Sequence, residues 1–144
     1  MKTKTHSVAR VVLIALATTL PIHAHANWLL VAGAKSPITK VSADEAANLF
    51  LGKVHALPGR GEVAVVDLPE GDSVRNDFYT NATNKSPSAA KAYWSRMIFT
   101  GKGKPPRVLG DSEEVKKAVA ANPAMIGYIE KSALDASVKV ILSP

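Results

Sequence analysis

Short apolar runs alternate with amphipathic stretches along this chain, and polar or glycine- and proline-rich turns separate them. Runs of five or six mostly apolar residues, rich in Val, Ile and Leu, predict buried β-strands rather than helices. These runs are residues 28–32, 62–67, 125–129 and 138–142, with a shorter strand predicted at 108–109. The valine-rich run at 62–67 is expected to be buried on both faces of a sheet.

Four amphipathic stretches predict helices between these strands. Ser42 with Glu45 three residues later forms a capping-box pattern, and Gly52 is a suitable residue to end the first helix. Ser86 followed by Pro87 is a typical helix start, with serine as the N-cap. The predicted helices end near residues 51, 82, 99 and 121, and the third has its apolar face at Ala90, Tyr93, Trp94, Met97 and Ile98.

The order of the predicted elements indicates the fold class. Strands that alternate with helices predict an α/β fold, in which helices cover a central sheet. Residues 55–61 contain a proline and two glycines and are predicted to form a loop. Residues 132–134 are predicted to form at most one turn of helix.

The first 26 residues have the three parts of a secretory signal peptide. A basic leader precedes an apolar run at 11–20, and Ala24-His25-Ala26 matches a small-x-small cleavage site. The run is too short for a comfortable membrane span, so we expect cleavage rather than a retained membrane anchor. The sequence therefore predicts a signal peptide at 1–26, a domain at 27–144, a periplasmic location and no stable membrane insertion after cleavage.

Charge and composition exclude several functions. Without the three leader cations, 15 basic residues face 12 acidic ones, so the net charge falls from +6 to +3. With scattered basic residues and few aromatic ones, we expect no nucleic-acid partner. There is no cysteine, and His55 is the only histidine after residue 26, so we expect no metal site and no Ser-His-Asp triad. Asp72 and Asp77 lie at one helix start and cannot face each other across a cleft, so we expect no catalytic site and no cofactor.

The junction at residues 63–78 is the main candidate for a binding site. It combines a buried strand, a tight polar turn and the first turn of a helix. The first N–H groups of a helix lack partners within it, and the helix dipole adds partial positive charge, so anions bind at such ends. The predicted ligand-binding residues are Gly71, Asp72, Ser73, Val74 and Arg75.

Three segments, in order, resemble the phosphate-type substrate-binding proteins of ABC transporters. Residues 41–53 are similar to a helix followed by Phe-x-Gly-Lys in that family, here Phe50-Leu51-Gly52-Lys53. Residues 94–101 resemble a later segment, and Ala-Met-Ile-Gly-Tyr-Ile at 124–129 resembles the family's recurring Ala-Ile-Gly-Tyr strand. The resemblance covers most of residues 41–130. It implies a type II periplasmic-binding-protein fold, of which this chain has room for a single lobe with a central mixed sheet flanked by helices.

The turn departs from the family pattern Arg-x-Asp-Gly-Ser-Gly-Thr. In an alignment on Gly71, the chain has Leu68 for Arg, Glu70 for Asp, Asp72 for Ser, Ser73 for Gly and Val74 for Thr. One guanidinium and two hydroxyl groups are therefore missing, and Asp72 can take the N-cap position itself. Ser73, the N–H groups of 73–75 and Arg75 remain for an anion, although Arg75 lies one residue into the helix and can point outward.

Two functions stay open at this point. The first is an exported solute-binding protein for phosphate or another small oxyanion, working with the membrane subunits of an ABC importer. The second is a ligand-free periplasmic interaction module that contacts another periplasmic protein or a second copy of itself. The exposed basic loop at 102–107 and the short edge strands would form its contact surface. The glycine spacing of this loop does not match a phosphate-binding loop, and neither function is enzymatic.

Overall fold

The computed structural model describes residues 25–144, so all but the last two positions of the predicted signal peptide lie outside the described residues. Within this range no helix has the length and hydropathy of a membrane span. The strands are β1 (Trp28–Gly33), β2 (Ala56–Leu57), β3 (Gly61–Glu62), β4 (Ala64–Asp67), β5 (Arg107–Val108), β6 (Met125–Glu130) and β7 (Val138–Leu142). The helices are α1 (Ala43–Phe50), α2 (Ser73–Ala82), α3 (Pro87–Phe99) and α4 (Ser112–Ala121), and a 3-10 turn covers Lys131–Ala133.

A five-stranded mixed sheet forms the centre of the fold, in the order β5-β4-β6-β1-β7. β4 runs parallel to both β5 and β6, whereas β1 runs antiparallel to β6 and β7. The register pairs Val66 and Val31 with Gly127 from either side. The predicted α/β class, with a mixed sheet flanked by helices, is confirmed.

The helix starts follow the local sequence signals. Ser42 Oγ accepts a hydrogen bond from Glu45 N at 3.2 Å, and Glu45 Oε2 accepts one from Ser42 N at 2.8 Å, which completes the predicted capping box. Ser86 Oγ accepts from Ala89 N at 3.2 Å at the start of α3. Gly52 follows α1 with a φ of 65°, a conformation that favours glycine.

Aromatic rings fill the core between the sheet and α2. The ring of Phe78 on α2 stacks on that of Tyr128 on β6, with centroids 4.1 Å apart and planes 11° apart. Phe50 meets Phe78 edge to face at 4.7 Å, and Trp28 does so at 5.1 Å. Edge-to-face and offset-stacked contacts of this kind stabilise a core beyond simple burial.

Glycine lets α4 pack closely on the other face of the sheet. Gly127 lies next to Tyr128 on β6, and neighbouring strand residues point to opposite faces. A Cβ on Gly127 would lie 2.7 Å from Val115 Cγ1 and 2.7 Å from Val66 Cγ2. A Cβ on Gly33 would lie 2.6 Å from the carbonyl oxygen of Val119. The sheet is thus covered by α2 on one face and α4 on the other.

The structure corrects three predictions about burial and bounds. Residues 55–61 were predicted to be a loop but contain most of a hairpin, β2–β3, and Glu62 belongs to β3 rather than to the buried strand. β4 therefore starts at Ala64, which is exposed, so the strand is not buried along its whole length. On α3, Ala90 and Trp94 are buried as predicted, but Ile98 is exposed, because the residues beside it, among them Pro105 and Val108, leave 58 % of it open to solvent.

Candidate functional site

The turn between β4 and α2 has the strand–turn–helix geometry that the sequence predicts. Gly71 has a φ of 90°, in the left-handed region that glycine tolerates, and Asp72 N donates to the carbonyl of Pro69 at 3.1 Å. This tight turn reverses the chain between the end of β4 and the start of α2. It therefore places the N-terminus of α2 at the carboxyl end of the sheet's parallel strands, where ligands of α/β proteins usually bind.

The carboxylate of Asp72 occupies the N-terminus of α2. Its Oδ1 accepts hydrogen bonds from Val74 N at 2.8 Å and from Arg75 N at 3.3 Å. These are the N–H groups that an anion would need at this end of the helix. The predicted residues do lie together at the turn, but a side chain of the protein itself takes the place of the ligand. Ser73 is exposed beside it, and Val74 is buried.

The cleft at this end of the molecule is acidic. α2 and α4 both begin at a cleft of about 420 Å³, whose lining includes Asp72, Asp111, Glu113 and Glu130. Asp111 caps α4 much as Asp72 caps α2, because its Oδ1 accepts from the backbone N–H of residue 114 at 2.9 Å. Lys116 lies 2.8 Å from Glu113 and offsets one of the four charges. The remaining carboxylates repel an incoming anion.

Arg75 points inward, not outward. Its residue area is 8 % exposed, its Nε lies 3.5 Å from Asp67 Oδ1, and its guanidinium carbon lies 4.6 Å from the centre of the Tyr79 ring. The guanidinium therefore pairs with a buried carboxylate at the end of β4 and stacks on an aromatic face. It does not extend into the acidic cleft, whose lining residues do not include it.

Asp67 is the centre of a buried polar network. Tyr79 donates from its hydroxyl to Asp67 Oδ2 at 2.7 Å, and Leu68 N donates to Oδ1 at 2.8 Å. The hydroxyl of Tyr128 also donates to Oδ1. The network joins β4, α2 and β6, and only 3 % of Asp67 is exposed. A charge so deeply buried is stable only because its oxygens have several donors.

Burial and the charge of Asp67 set the ionisation of this network. Burial raises the pKa of Tyr79 and of Tyr128, and the negative charge of Asp67 raises both further. Both phenols therefore remain protonated donors at neutral pH. Burial is the largest influence on Arg75 and lowers its pKa, but the combined attraction of Asp67, Tyr79 and Tyr128 outweighs it and the net direction is upward. The arginine is thus a permanent cation.

Sequence reasoning did not identify this network. The residues lie far apart in sequence, and Tyr79 and Tyr128 are within apolar patterns that indicate only core packing. One signal was present, since Asp67 is a carboxylate at the end of a valine-rich buried strand. A buried carboxylate needs hydrogen-bond donors, so this position predicts that donors from elsewhere in the chain lie near Asp67.

A second feature is an exposed surface that combines apolar and basic side chains. Phe99, Ile98 and Val108 are 92 %, 58 % and 55 % exposed, respectively. Exposed cations lie on the connection between α3 and β5 and on β5 itself. The basic-apolar surface, as we call it, consists of Ile98, Phe99, Lys102, Lys104, Pro105, Arg107 and Val108. β5 is an edge strand of the sheet, so one side of its backbone pairs with no strand in the described residues.

The fold has counterparts among solved structures. A phosphate ABC transporter substrate-binding protein of Clostridium perfringens, solved with bound phosphate, superposes with a TM-score of 0.63 at 18 % identity. An ABC-type phosphate transport receptor of Vibrio cholerae gives 0.61 at 17 %, and PstS of Borrelia burgdorferi gives 0.56 at 13 %. No protein-family model and no curated protein matches the chain.

The three matches cover 80 % of this chain but only 44 %, 45 % and 46 % of the respective structures. This chain therefore spans less than half the length of the proteins it resembles. Identities this low show a common fold and not a common ligand. By name, the neighbours are substrate-binding and transport proteins rather than enzymes. The chain has the α/β fold of a single lobe of a phosphate-type periplasmic-binding protein.

Proposed function

We propose that this chain is an exported periplasmic protein in which a solute-binding lobe acts as an interaction module for a protein partner. The observation that supports it best is the basic-apolar surface beside the open edge of β5. Contiguous patches of exposed apolar residues often mark sites of protein–protein interaction. An unpaired edge strand also offers backbone N–H and C=O groups to an extended partner segment.

The charge of the surface specifies the chemistry of the partner. Lys102, Lys104 and Arg107 are exposed, and Lys102 and Lys104 lie beside Ile98, so the surface complements a segment that carries both acidic and apolar side chains. A second copy of this chain is a poorer occupant, because a two-fold interface would place the same cations opposite each other. The partner is a periplasmic protein, or the periplasmic segment of an ABC-transporter membrane subunit, with an acidic and apolar contact face.

Binding of phosphate or another small oxyanion by Gly71, Asp72, Ser73, Val74 and Arg75 is the second candidate. The bound phosphate in the Clostridium perfringens neighbour favours it. It requires the Asp72 carboxylate to leave Val74 N and Arg75 N, and it requires the acidic cleft to accept more negative charge. Within the described residues this end of the helix is open to water, where charge contacts are weak. We therefore rank it below the interaction module.

Site-specific photo-cross-linking tests the first candidate. The photoreactive amino acid p-benzoylphenylalanine replaces Phe99 in the full chain, which is expressed in the cells that produce it. Lys117 is the matched control position, because it is exposed on α4 at the opposite face of the sheet. We expect an adduct of defined mass from position 99, no adduct from position 117, and loss of the adduct when Lys102, Lys104 and Arg107 are all changed to Glu.

The adduct also identifies its occupant. An adduct with twice the mass of the chain would show self-association instead of binding to another protein. An adduct that still forms after the triple charge reversal would contradict an acidic partner.

Calorimetry of the purified exported chain with phosphate, sulfate and molybdate tests the second candidate. We expect no heat of binding at millimolar concentrations, whereas a phosphate-dependent rise in melting temperature would favour phosphate binding.

A further inference from the structure

A small cavity separate from the acidic cleft lies between α2, α3 and residues 105–108. Its volume is about 250 Å³, and it shares no lining residue with the cleft at the helix N-termini. Arg75 and Ser95 contribute polar groups to its wall, and Trp94, Ile98 and Pro105 contribute apolar surface. The cavity thus places the buried pair of Arg75 and Asp67 beside an apolar wall that is partly open to solvent.

The guanidinium of Arg75 lacks a hydrogen-bond acceptor there. Its side chain is 9 % exposed, and its Nε is buried with no hydrogen-bond partner among the described residues. Asp67 Oδ1, at 3.5 Å, is too distant for a good hydrogen bond, and the oxygens of Asp67 already accept from Tyr79, Tyr128 and Leu68 N. The guanidinium thus has donor capacity that no acceptor among the described residues uses, and Arg75 lines the cavity, so a ligand there that carries an acceptor is favoured.

Lys91 and Glu70 stand at the same cavity and form an ion pair of 2.9 Å. Their side chains are 65 % and 59 % exposed, so water screens the pair and it holds weakly. An incoming carboxylate can therefore replace Glu70 as the partner of Lys91. Asp67 and Glu70 together also limit how much negative charge the cavity accepts, which favours a single charge over the roughly doubled charge of phosphate.

We propose that this cavity binds a small monocarboxylic acid with an apolar tail. The carboxylate accepts hydrogen bonds from the guanidinium of Arg75, a geometry for which the planar fork of arginine is well suited. The tail lies against Trp94, Ile98 and Pro105. This inference goes beyond the proposed function, because it requires no protein partner. Its failure would leave the cross-linking result at Phe99 unaffected.

A matched pair of small molecules tests the charge requirement in the wild-type protein. Hexanoate and hexanamide have the same tail, but only hexanoate has a carboxylate. The indole N–H signals of Trp94 and Trp28 in nitrogen-15 NMR spectra report on binding, because Trp94 lines the cavity whereas Trp28 is buried in the core. We expect hexanoate to shift the Trp94 signal and to bind about tenfold more tightly than hexanamide, and the Trp28 signal to stay unchanged. Equal affinity for both molecules, or no shift with hexanoate, would overturn the proposal.

Two variants test the residues assigned to the head group. Arg75→Lys keeps the charge but removes the planar fork, and we expect about tenfold weaker hexanoate binding. Arg60→Lys is the matched control, because Arg60 pairs with Glu45 at 3.0 Å and does not line the cavity. Glu70→Gln removes the competitor for Lys91, so we expect hexanoate to bind more tightly. This exposed change does not depend on the stability of the buried network, and weaker binding by this variant would contradict the assigned role of Lys91.

Discussion

The phenol of Tyr79 donates a 2.7 Å hydrogen bond to Asp67 Oδ2, and both side chains are buried. Tyr79 lies in α2 and Asp67 ends β4, so this bond fixes the helix against the strand on both sides of the turn that carries the candidate site. The position of the turn is therefore determined by a polar contact beneath it as well as by apolar packing. Removal of this hydrogen bond therefore measures how much it contributes to the free energy of unfolding.

Replacement of Tyr79 by phenylalanine removes the donor and leaves Asp67 Oδ2 without this partner. Because the acceptor is charged and buried, we expect the free energy of unfolding to fall by about 2 kcal/mol. Urea denaturation measures the change. Tyr93→Phe is the control, since Tyr93 donates at 2.6 Å to the neutral carbonyl of Leu51 in a partly buried position, and we expect it to cost about 1 kcal/mol. A cost for Tyr79→Phe no larger than that of the control would contradict the charged network.

The same phenols make the protein sensitive to alkaline pH. In the unfolded chain tyrosines ionise near pH 10, whereas burial and Asp67 raise the pKa of Tyr79 and Tyr128 in the folded chain. Above about pH 10 the unfolded state loses protons that the folded state keeps, so the free energy of unfolding falls as pH rises toward the folded pKa values. Below pH 10 this contribution is fully present. Urea midpoints at pH 8 and pH 11 measure the loss, and Tyr79→Phe should lose less between them than wild type.

Asp72→Ser tests whether the self-supplied carboxylate excludes an anion. Serine is also a good N-cap, so we expect stability to change by less than about 1 kcal/mol. The variant should gain a phosphate-dependent rise in melting temperature that wild type lacks. Without the Asp72 carboxylate, phosphate can accept hydrogen bonds from Val74 N and Arg75 N. Asp111→Ser, the matching change at α4, serves as the control. Equal melting curves for Asp72→Ser with and without phosphate would show that another feature excludes the anion.

Gly127→Ala tests the close approach of α4 to the sheet. The new methyl group would lie 2.7 Å from carbon atoms of both Val66 and Val115, so the helix or the strands must shift. Overpacking of this kind costs about 1–3 kcal/mol, which thermal unfolding can measure. The control is Gly110→Ala, whose methyl group would have the flexible side chain of Glu114 as its nearest neighbour, at 3.2 Å. Destabilisation of similar size in both variants would contradict the specific contact.

Much of the fold was predictable because its signals are local. The capping box at Ser42, the Ser86-Pro87 start of α3 and the apolar runs of β1, β6 and β7 each specify an element within a few residues. The N-cap role of Asp72 also followed from its place in the turn. These signals depend on backbone hydrogen bonds between near neighbours, so tertiary context changes them little.

The remaining features depend on contacts across the chain. β2 and β3 have two residues each, too few for a periodic pattern to indicate a strand. The periodicity of α3 predicted that Ile98 would be buried, but its neighbours leave it 58 % exposed, and periodicity alone cannot report how fully neighbouring residues cover a side chain. Arg75 turns inward because Asp67 lies beneath the helix, a pairing that only the three-dimensional fold reveals.

The place of β1 in the sheet has a consequence for folding kinetics. β1 lies between β6 and β7, and its Val31 pairs with Val140 of β7. The native sheet therefore forms only after loop closure over almost the whole described range, which slows folding relative to a fold with local pairings. During synthesis, β1 lacks both of its neighbours until residues 125–142 have emerged. The central sheet can thus be completed only after almost the whole described range has been synthesised, whereas a helix such as α1, with its local capping box, can form earlier.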